Sequence, residues 1–253
     1  MEMNFNQHIS GQFNADLEAI RNHMMSMGGL VERQVTHAVQ AICSGDTQLA
    51  DDVIRREDDV DKAEVAIDNE CTQILVRRQP AASDLRMVLA VSRVVRDLER
   101  IGDEASKIAI HTLEVKDSKN PQFCQQAIRY MGEEVVKMIS GALDAFGDQV
   151  RKMVQEALDA FARFDADLAL SVAQYDKTVD REYKTALREL VTYMMEDPRS
   201  IGQAINILWI LRAIERIGDH ARNISEQVIY LVSGTDVRHS SLTEMEETAQ
   251  KED

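Results

Sequence analysis

The chain has 253 residues, 44% of them hydrophobic and 29% charged, the balance of a folded globular protein with a sizeable core. Its formal net charge of −15 repels phosphodiester backbones and anionic lipid head groups, which argues against nucleic acid and membrane surfaces as partners and for cations or basic protein surfaces. The opening residues MEMNFNQHIS lack the basic end and apolar run of a signal peptide, and no stretch approaches a membrane span, so a cytoplasmic location is expected.

Prolines occur only at positions 80, 121 and 198, and the stretches between them are rich in helix-forming residues with three- and four-residue apolar spacing. In the stretch from Asp84, Val88, Val91, Val95 and Leu98 mark one such stripe. Asp46 and Asp165, each just ahead of an apolar pattern, read as N-caps. Six helices are expected in chain order, near 12–43, 47–78, 82–113, 122–163, 166–196 and 199–232. The fourth is unusually long, and it either overhangs the bundle or breaks near Gly147. Past Gly234 the polar, acidic segment is expected to be a frayed or disordered tail. Cys43, Cys71 and Cys124 form no CxxC pair and read as ordinary reduced thiols.

The two halves repeat each other. Asp46-Thr-Gln-Leu-Ala50 aligns with Asp165-Ala-Asp-Leu-Ala169, the same offset brings Val60-Asp61 onto Val179-Asp180, and Leu98-Glu-Arg-Ile-Gly-Asp103 aligns with Ile214-Glu-Arg-Ile-Gly-Asp219. The fold class is therefore all-α, two tandem pseudo-symmetric three-helix bundles of long antiparallel helices. Residues 1–118 form the first, 119–235 the second, and 236–253 the tail. A block around Lys137–Phe146 recurs fifteen residues later at Lys152–Phe161, which no simple duplication explains.

Four acidic pairs have i, i+4 spacing: Glu57 with Asp61, Glu99 with Asp103, Asp176 with Asp180, and Glu215 with Asp219. Each puts two like charges on one helix face, which repel unless a cation or solvent compensates. Their placement is informative. Asp61 with Glu99, and Glu57 with Asp103, are equidistant from Pro80; Asp180 with Glu215, and Asp176 with Asp219, are equidistant from the bond between Asp197 and Pro198. Antiparallel helices about 8–10 Å apart then bring four carboxylates to one level in each half. Such oxygen-only clusters favour hard or borderline cations such as Mg2+, Mn2+, Ca2+ or iron over a thiolate zinc site. Salt bridges to Arg96, Arg100, Arg212 and Arg216 are the competing use of the same acids. Gly102 and Gly218, inside strong helical patterns, serve either a tight helix crossing or the seating of a ligand. His220 reads as a surface or inter-helix residue, and Asn223 as an extra oxygen ligand whose first-half counterpart is Lys107.

From about residue 10 to 235 the sequence resembles the phosphate-uptake regulators of the PhoU family. The doubled Leu/Ile-Glu-Arg-Ile-Gly-Asp signature carries the likeness, together with Gln79-Pro-Ala-Ala-Ser-Asp-Leu-Arg86 and Gly218-Asp-His-Ala-Arg-Asn-Ile224. The resemblance implies a cytoplasmic, non-enzymatic negative regulator of phosphate uptake and phosphate-regulon signalling. Its partners would be the ATPase subunit of the phosphate ABC transporter and a phosphate-sensing histidine kinase, with membrane contact only through them. It implies a homodimer, and metal bound at the four acidic pairs named above, with iron, manganese, magnesium or zinc as candidate ions.

Enzymatic readings fare worse. No glutamate is followed three residues later by histidine, as a ferritin-like di-iron site requires. Neither a P-loop, a dinucleotide fingerprint nor a nucleophile with its base stands out. A carboxylate-metal helical enzyme acting on a phosphorylated or diphosphate substrate is the alternative, weakened by a 5% aromatic content and by Glu57-Asp-Asp-Val-Asp61 not being DDxxD.

Overall fold

The structure, a computed structural model, describes residues 11–80, 82–117 and 133–250. In chain order these form α1 (Gly11–Ser44), α2 (Thr47–Arg55), α3 (Glu57–Arg78), α4 (Ala82–Asp117), α5 (Glu133–Arg163), α6 (Ala166–Glu196), a 3-10 turn (Pro198–Ser200), α7 (Ile201–Ser233) and α8 (Leu242–Ala249), with no strand among the described residues. The architecture is the expected one of two tandem helical bundles. α1, α2, α3 and α4 pack together, as do α5, α6 and α7, while α4 lies along α7 and α1 along α5. The buried apolar side chains consequently join into one continuous core.

Apolar spacing dictates which faces turn inward. α1 buries Phe13, Leu17, Ile20, Met24, Met27, Val31, Val35 and Ala38, and α4 buries Val88, Val91, Val95, Leu98, Ile101, Ala105 and Ile108, both at the three- and four-residue steps of one helix stripe. The N-caps are as expected: Asp46 accepts hydrogen bonds from the backbone N–H of Gln48 and Leu49 at 3.0 and 3.1 Å, and Asp165 from Leu168 at 2.9 Å. No described helix is long and apolar enough to cross a membrane.

Three expectations need correction or closure. The helix foreseen over 47–78 is two helices, interrupted at Arg56, where backbone bonds run from Arg56 N–H to Val53 and from Asp59 N–H to Arg56. Glu57, Asp58 and Asp59 then occupy the first turn of α3, where the helix dipole favours negative charge. The second half has Asp176-Lys-Thr178 at the matching place and no such run, and α6 is continuous over 31 residues. The tail is also more ordered than expected. Ser241 and Glu244 form a reciprocal capping box at the start of α8, and the buried side chains of Val237 and Met245 anchor the segment to the core, with α8 against α6 and α7. Finally, α5 runs unbroken through Gly147. A Cβ there would run into the Val39 side chain, so this glycine permits the close approach of α1 and α5. The described part of α5 is 31 residues, the length of α6. The start of that helix near 122, Cys124 and the junction between halves near Pro121 lie outside the described residues.

Candidate metal centre

α6 and α7 run antiparallel from the turn at Pro198, and the second-half acids meet on their facing surfaces. One oxygen from each of Asp180, Glu215 and Asp219 lies within 4.8 Å of the other two. Oxygens this close can all reach a single ion bound at about 2.1–2.4 Å, the range of Mg2+ and Ca2+. The donor set is all carboxylate, and Asp219 at the exposed rim needs little rearrangement to close on an ion. These residues fit a hard cation.

Electrostatics report the same crowding. Burial, followed by the charge of Asp219, pushes the Glu215 carboxyl up to about 7, even with the Arg212 guanidinium beside it. Asp219 is raised as well, by loss of surrounding water and by Asp180. Glu215 is 8% exposed and accepts from Arg212 Nη1 at 2.7 Å on both oxygens. This ion pair is one of the salt bridges that compete with metal. Arg212 also lies over the Tyr183 ring, 5.9 Å from its centre.

Asp176, the remaining second-half acid of the expected set, is not brought into this triad. It is buried and ion-paired at 3.2 Å with Arg222, which also holds Glu226 at 3.2 Å. Desolvation raises its carboxyl above the ordinary aspartate range despite that arginine. Burial without a charge partner would be prohibitive, so Arg222 accounts for its tolerance at this position.

In the first half, Glu57, Asp61, Glu99 and Asp103 feel one another's charge between α3 and α4, but no three of them approach as closely as the second-half triad. The Glu57 carboxyl is raised by burial and by the neighbouring charges of Asp103 and Asp61. Glu99 is raised by burial and by Asp103, Glu64 and Asp61. Glu64 is a member the sequence reading missed, although it follows Glu57 by seven residues on one face of α3; it too is raised by burial and by neighbouring Asp68 and Asp61. The second half has Tyr183 at the matching position. The two clusters are therefore chemically different, with an extra carboxylate in the first and an arginine over an aromatic ring in the second.

Both signature glycines sit at helix crossings. A Cβ on Gly102 would stand 3.1 Å from Gln34 Oε1 and 3.4 Å from Val60, and one on Gly218 would stand 3.3 Å from Val179 and 3.9 Å from Met153. Val60 and Val179 are repeat equivalents, so the same close contact recurs in each bundle and sets the separation of the carboxylate-bearing helices. His220 is an inter-helix residue: its Nδ1 lies 2.9 Å from Asp97 on α4, and Asn223 donates to the same oxygen at 3.1 Å. Asn223 thus holds Asp97 and is not turned to the acidic triad. Of the four arginines weighed against metal, Arg212 pairs with Glu215, Arg216 pairs with Glu104 across the bundle interface at 3.2 Å, and Arg96 and Arg100 make no ion pair among the described residues.

A family model described as the PhoU domain matches the chain twice, over residues 24–112 and 146–228, one match for each bundle. The chain is 59% identical to the phosphate-specific transport system accessory protein PhoU homolog of Pseudomonas aeruginosa, over 95% of this chain and 93% of that protein. It is 44% identical to the phosphate-specific transport system accessory protein PhoU of Escherichia coli K12, over 94% and 92% respectively. The crystal structure of PhoU from Pseudomonas aeruginosa superposes with a TM-score of 0.78 at 58% identity, covering 88% of this chain and all of that one. That of the phosphate transport system regulatory protein PhoU from Streptococcus pneumoniae gives 0.76 at 29% identity, covering 89% and 99%. With the doubled domain, the fold and the paired signature glycines all in agreement, the chain belongs to the PhoU family.

Proposed function

We propose that this protein is a non-enzymatic regulator that lowers phosphate uptake, acting as a homodimer on the ATPase subunit of the phosphate ABC transporter and on a phosphate-sensing histidine kinase. The relatives are named accessory or regulatory proteins of phosphate transport, which supports the regulatory reading. The observation that carries the mechanism is the meeting of Asp180, Glu215 and Asp219 between α6 and α7. A cation bound there would supply positive charge and oxygen coordination. Asp180 on α6, with Glu215 and Asp219 on α7, would then be held together instead of repelling one another, which fixes the relative position of two long helices and of the surface they present to partners. Glu57, Asp61, Glu99 and Asp103, with Glu64, would serve α3 and α4 in the same way.

The test is phosphate uptake by phosphate-replete cells lacking the endogenous protein, complemented with the intact chain or with Asp180→Asn/Asp219→Asn. The intact chain is expected to lower uptake and to be captured by the purified ATPase subunit; the variant is expected to do both less well. Uptake unaffected by the intact chain contradicts the regulatory reading, while a fully active variant contradicts the metal-dependent mechanism alone.

A further inference from the structure

In a protein of net charge −15, one cleft has the opposite character. It lies where α4 meets α7 and the segment following α7, encloses about 610 Å3, and is lined by Arg93, Arg96, Arg100, Arg216, Arg222 and Arg238 against only three carboxylates, Asp97, Asp219 and Glu226. The arginines divide into two groups. Arg216, Arg222 and Arg238 are ion-paired with Glu104, with Asp176 and Glu226, and with Asp236. Arg93, Arg96 and Arg100 have no ion-pair partner among the described residues.

Those three stand at i, i+3 and i+7, on one face of α4. Like charges at such spacing repel; the nearby carboxylates Glu64 and Glu99 offset part of the charge of Arg96 and Arg100, and an anion shared along the row would offset the rest. The site is also built in advance. Arg93 donates to Gln227 Oε1 at 3.1 Å and lies over the Tyr230 ring, 5.6 Å from its centre. Asp97 accepts from Asn223 and lies 2.9 Å from His220 Nδ1, so it already has partners of its own within the cleft.

We infer that this cleft binds an oligophosphate, an anion with two or more linked phosphoryl groups. Guanidinium forks match phosphoryl oxygens in pairs, and the row from Arg93 to Arg100 extends about 10 Å along the helix, more than a single tetrahedral phosphate spans. Among the described residues no Phe, Tyr or Trp lines the cleft to stack on a base, which favours an inorganic chain over the same chain on a nucleotide. The inference is separate from the metal mechanism, since of the acidic triad only Asp219 touches the cleft, at its rim.

The test is calorimetric titration of the full-length, chelator-treated protein with inorganic tripolyphosphate in metal-free, low-salt buffer, with ATP, orthophosphate and a poly-glutamate peptide as parallel arms. One tripolyphosphate per chain is expected, weakening as salt rises, with ATP no tighter and orthophosphate and the peptide much weaker. Arg96→Ala/Arg100→Ala, both at exposed positions, should weaken tripolyphosphate by about tenfold or more. Arg181→Ala/Arg188→Ala, an equal charge change on exposed positions of α6, should leave it within about twofold. Absence of binding, equal loss in the two double variants, peptide binding as tight as tripolyphosphate, or binding that needs added metal and is abolished by Asp219→Asn alone would each overturn the inference.

Discussion

Glu215→Gln should stabilise the metal-free protein at pH 8 and leave it almost unchanged at pH 5. The Glu215 carboxyl titrates at about 7 in the folded protein against an ordinary value of 4.5, so the folded state holds this proton more tightly than the unfolded one. Its contribution is full below pH 4.5 and is lost as the pH rises to about 7, because unfolding then releases a proton. At about 1.4 kcal/mol per pH unit, the loss amounts to about 3 kcal/mol. At 8% exposure the side chain is too enclosed for solvent to erase much of that. Glutamine imitates the protonated acid and does not titrate, so it keeps what the wild type loses; Arg212, left without its ion-pair partner, still has 46% of its side chain in solvent. Urea unfolding of both proteins in chelator at half-unit pH steps is the assay. The stability difference should grow by about 2–3 kcal/mol in favour of the variant between pH 5 and 8, and should reverse when a cation that requires the ionised carboxylate is added. A pH-independent difference would refute the crowding argument for this site.

Other consequences are equally specific. Gln34 is 2% exposed with neither amide atom hydrogen-bonded among the described residues, while its counterpart against the second signature glycine is Met153. Gln34→Met should therefore raise stability by about 1–3 kcal/mol, and a lowered urea midpoint would show that the amide is satisfied. Gly147→Ala drives a methyl into Val39 and should cost about 1–3 kcal/mol, largely recovered in Gly147→Ala/Val39→Ala; no cost would mean that α1 and α5 are further apart. Met245→Ala should detach α8 and not unfold the bundles, seen as faster proteolytic trimming beyond Gly234 with little change in the main thermal transition. Unchanged trimming would mean that Met245 does not anchor the tail.

Much of this organisation was legible in the sequence because the information is local or repeated. Apolar spacing gave the helices, Asp46 and Asp165 announced their caps, and equidistance from Pro80 and Pro198 placed the acids at matching levels. What escaped depended on context. The interruption at Arg56 comes from three consecutive acids preferring a helix N-terminus, a preference invisible to an apolar-periodicity reading that passes straight through residues 53–60. The tail looked solvated by composition, yet Ser241-x-x-Glu244 is a capping-box signature and was available. Glu64 was discoverable as the i+7 partner of Glu57. Asp176 was not, because its diversion to Arg222 depends on how α6 and α7 are rotated against each other. The arginine cleft depends on the packing of α4 on α7, which joins the two bundles and is not fixed by either repeat alone.

The central claim is that the paired acids are cation sites, and metal content by plasma mass spectrometry tests it most directly. The protein should be purified without a histidine tag and compared with Asp180→Asn/Asp219→Asn and with Asp61→Asn/Asp103→Asn. Stoichiometric metal in the wild type, diminished by each double variant in proportion to the site it removes, is the predicted result. A metal-free wild type, or metal indifferent to both sets of substitutions, would return these carboxylates to salt-bridged and solvated helix faces and contradict the account.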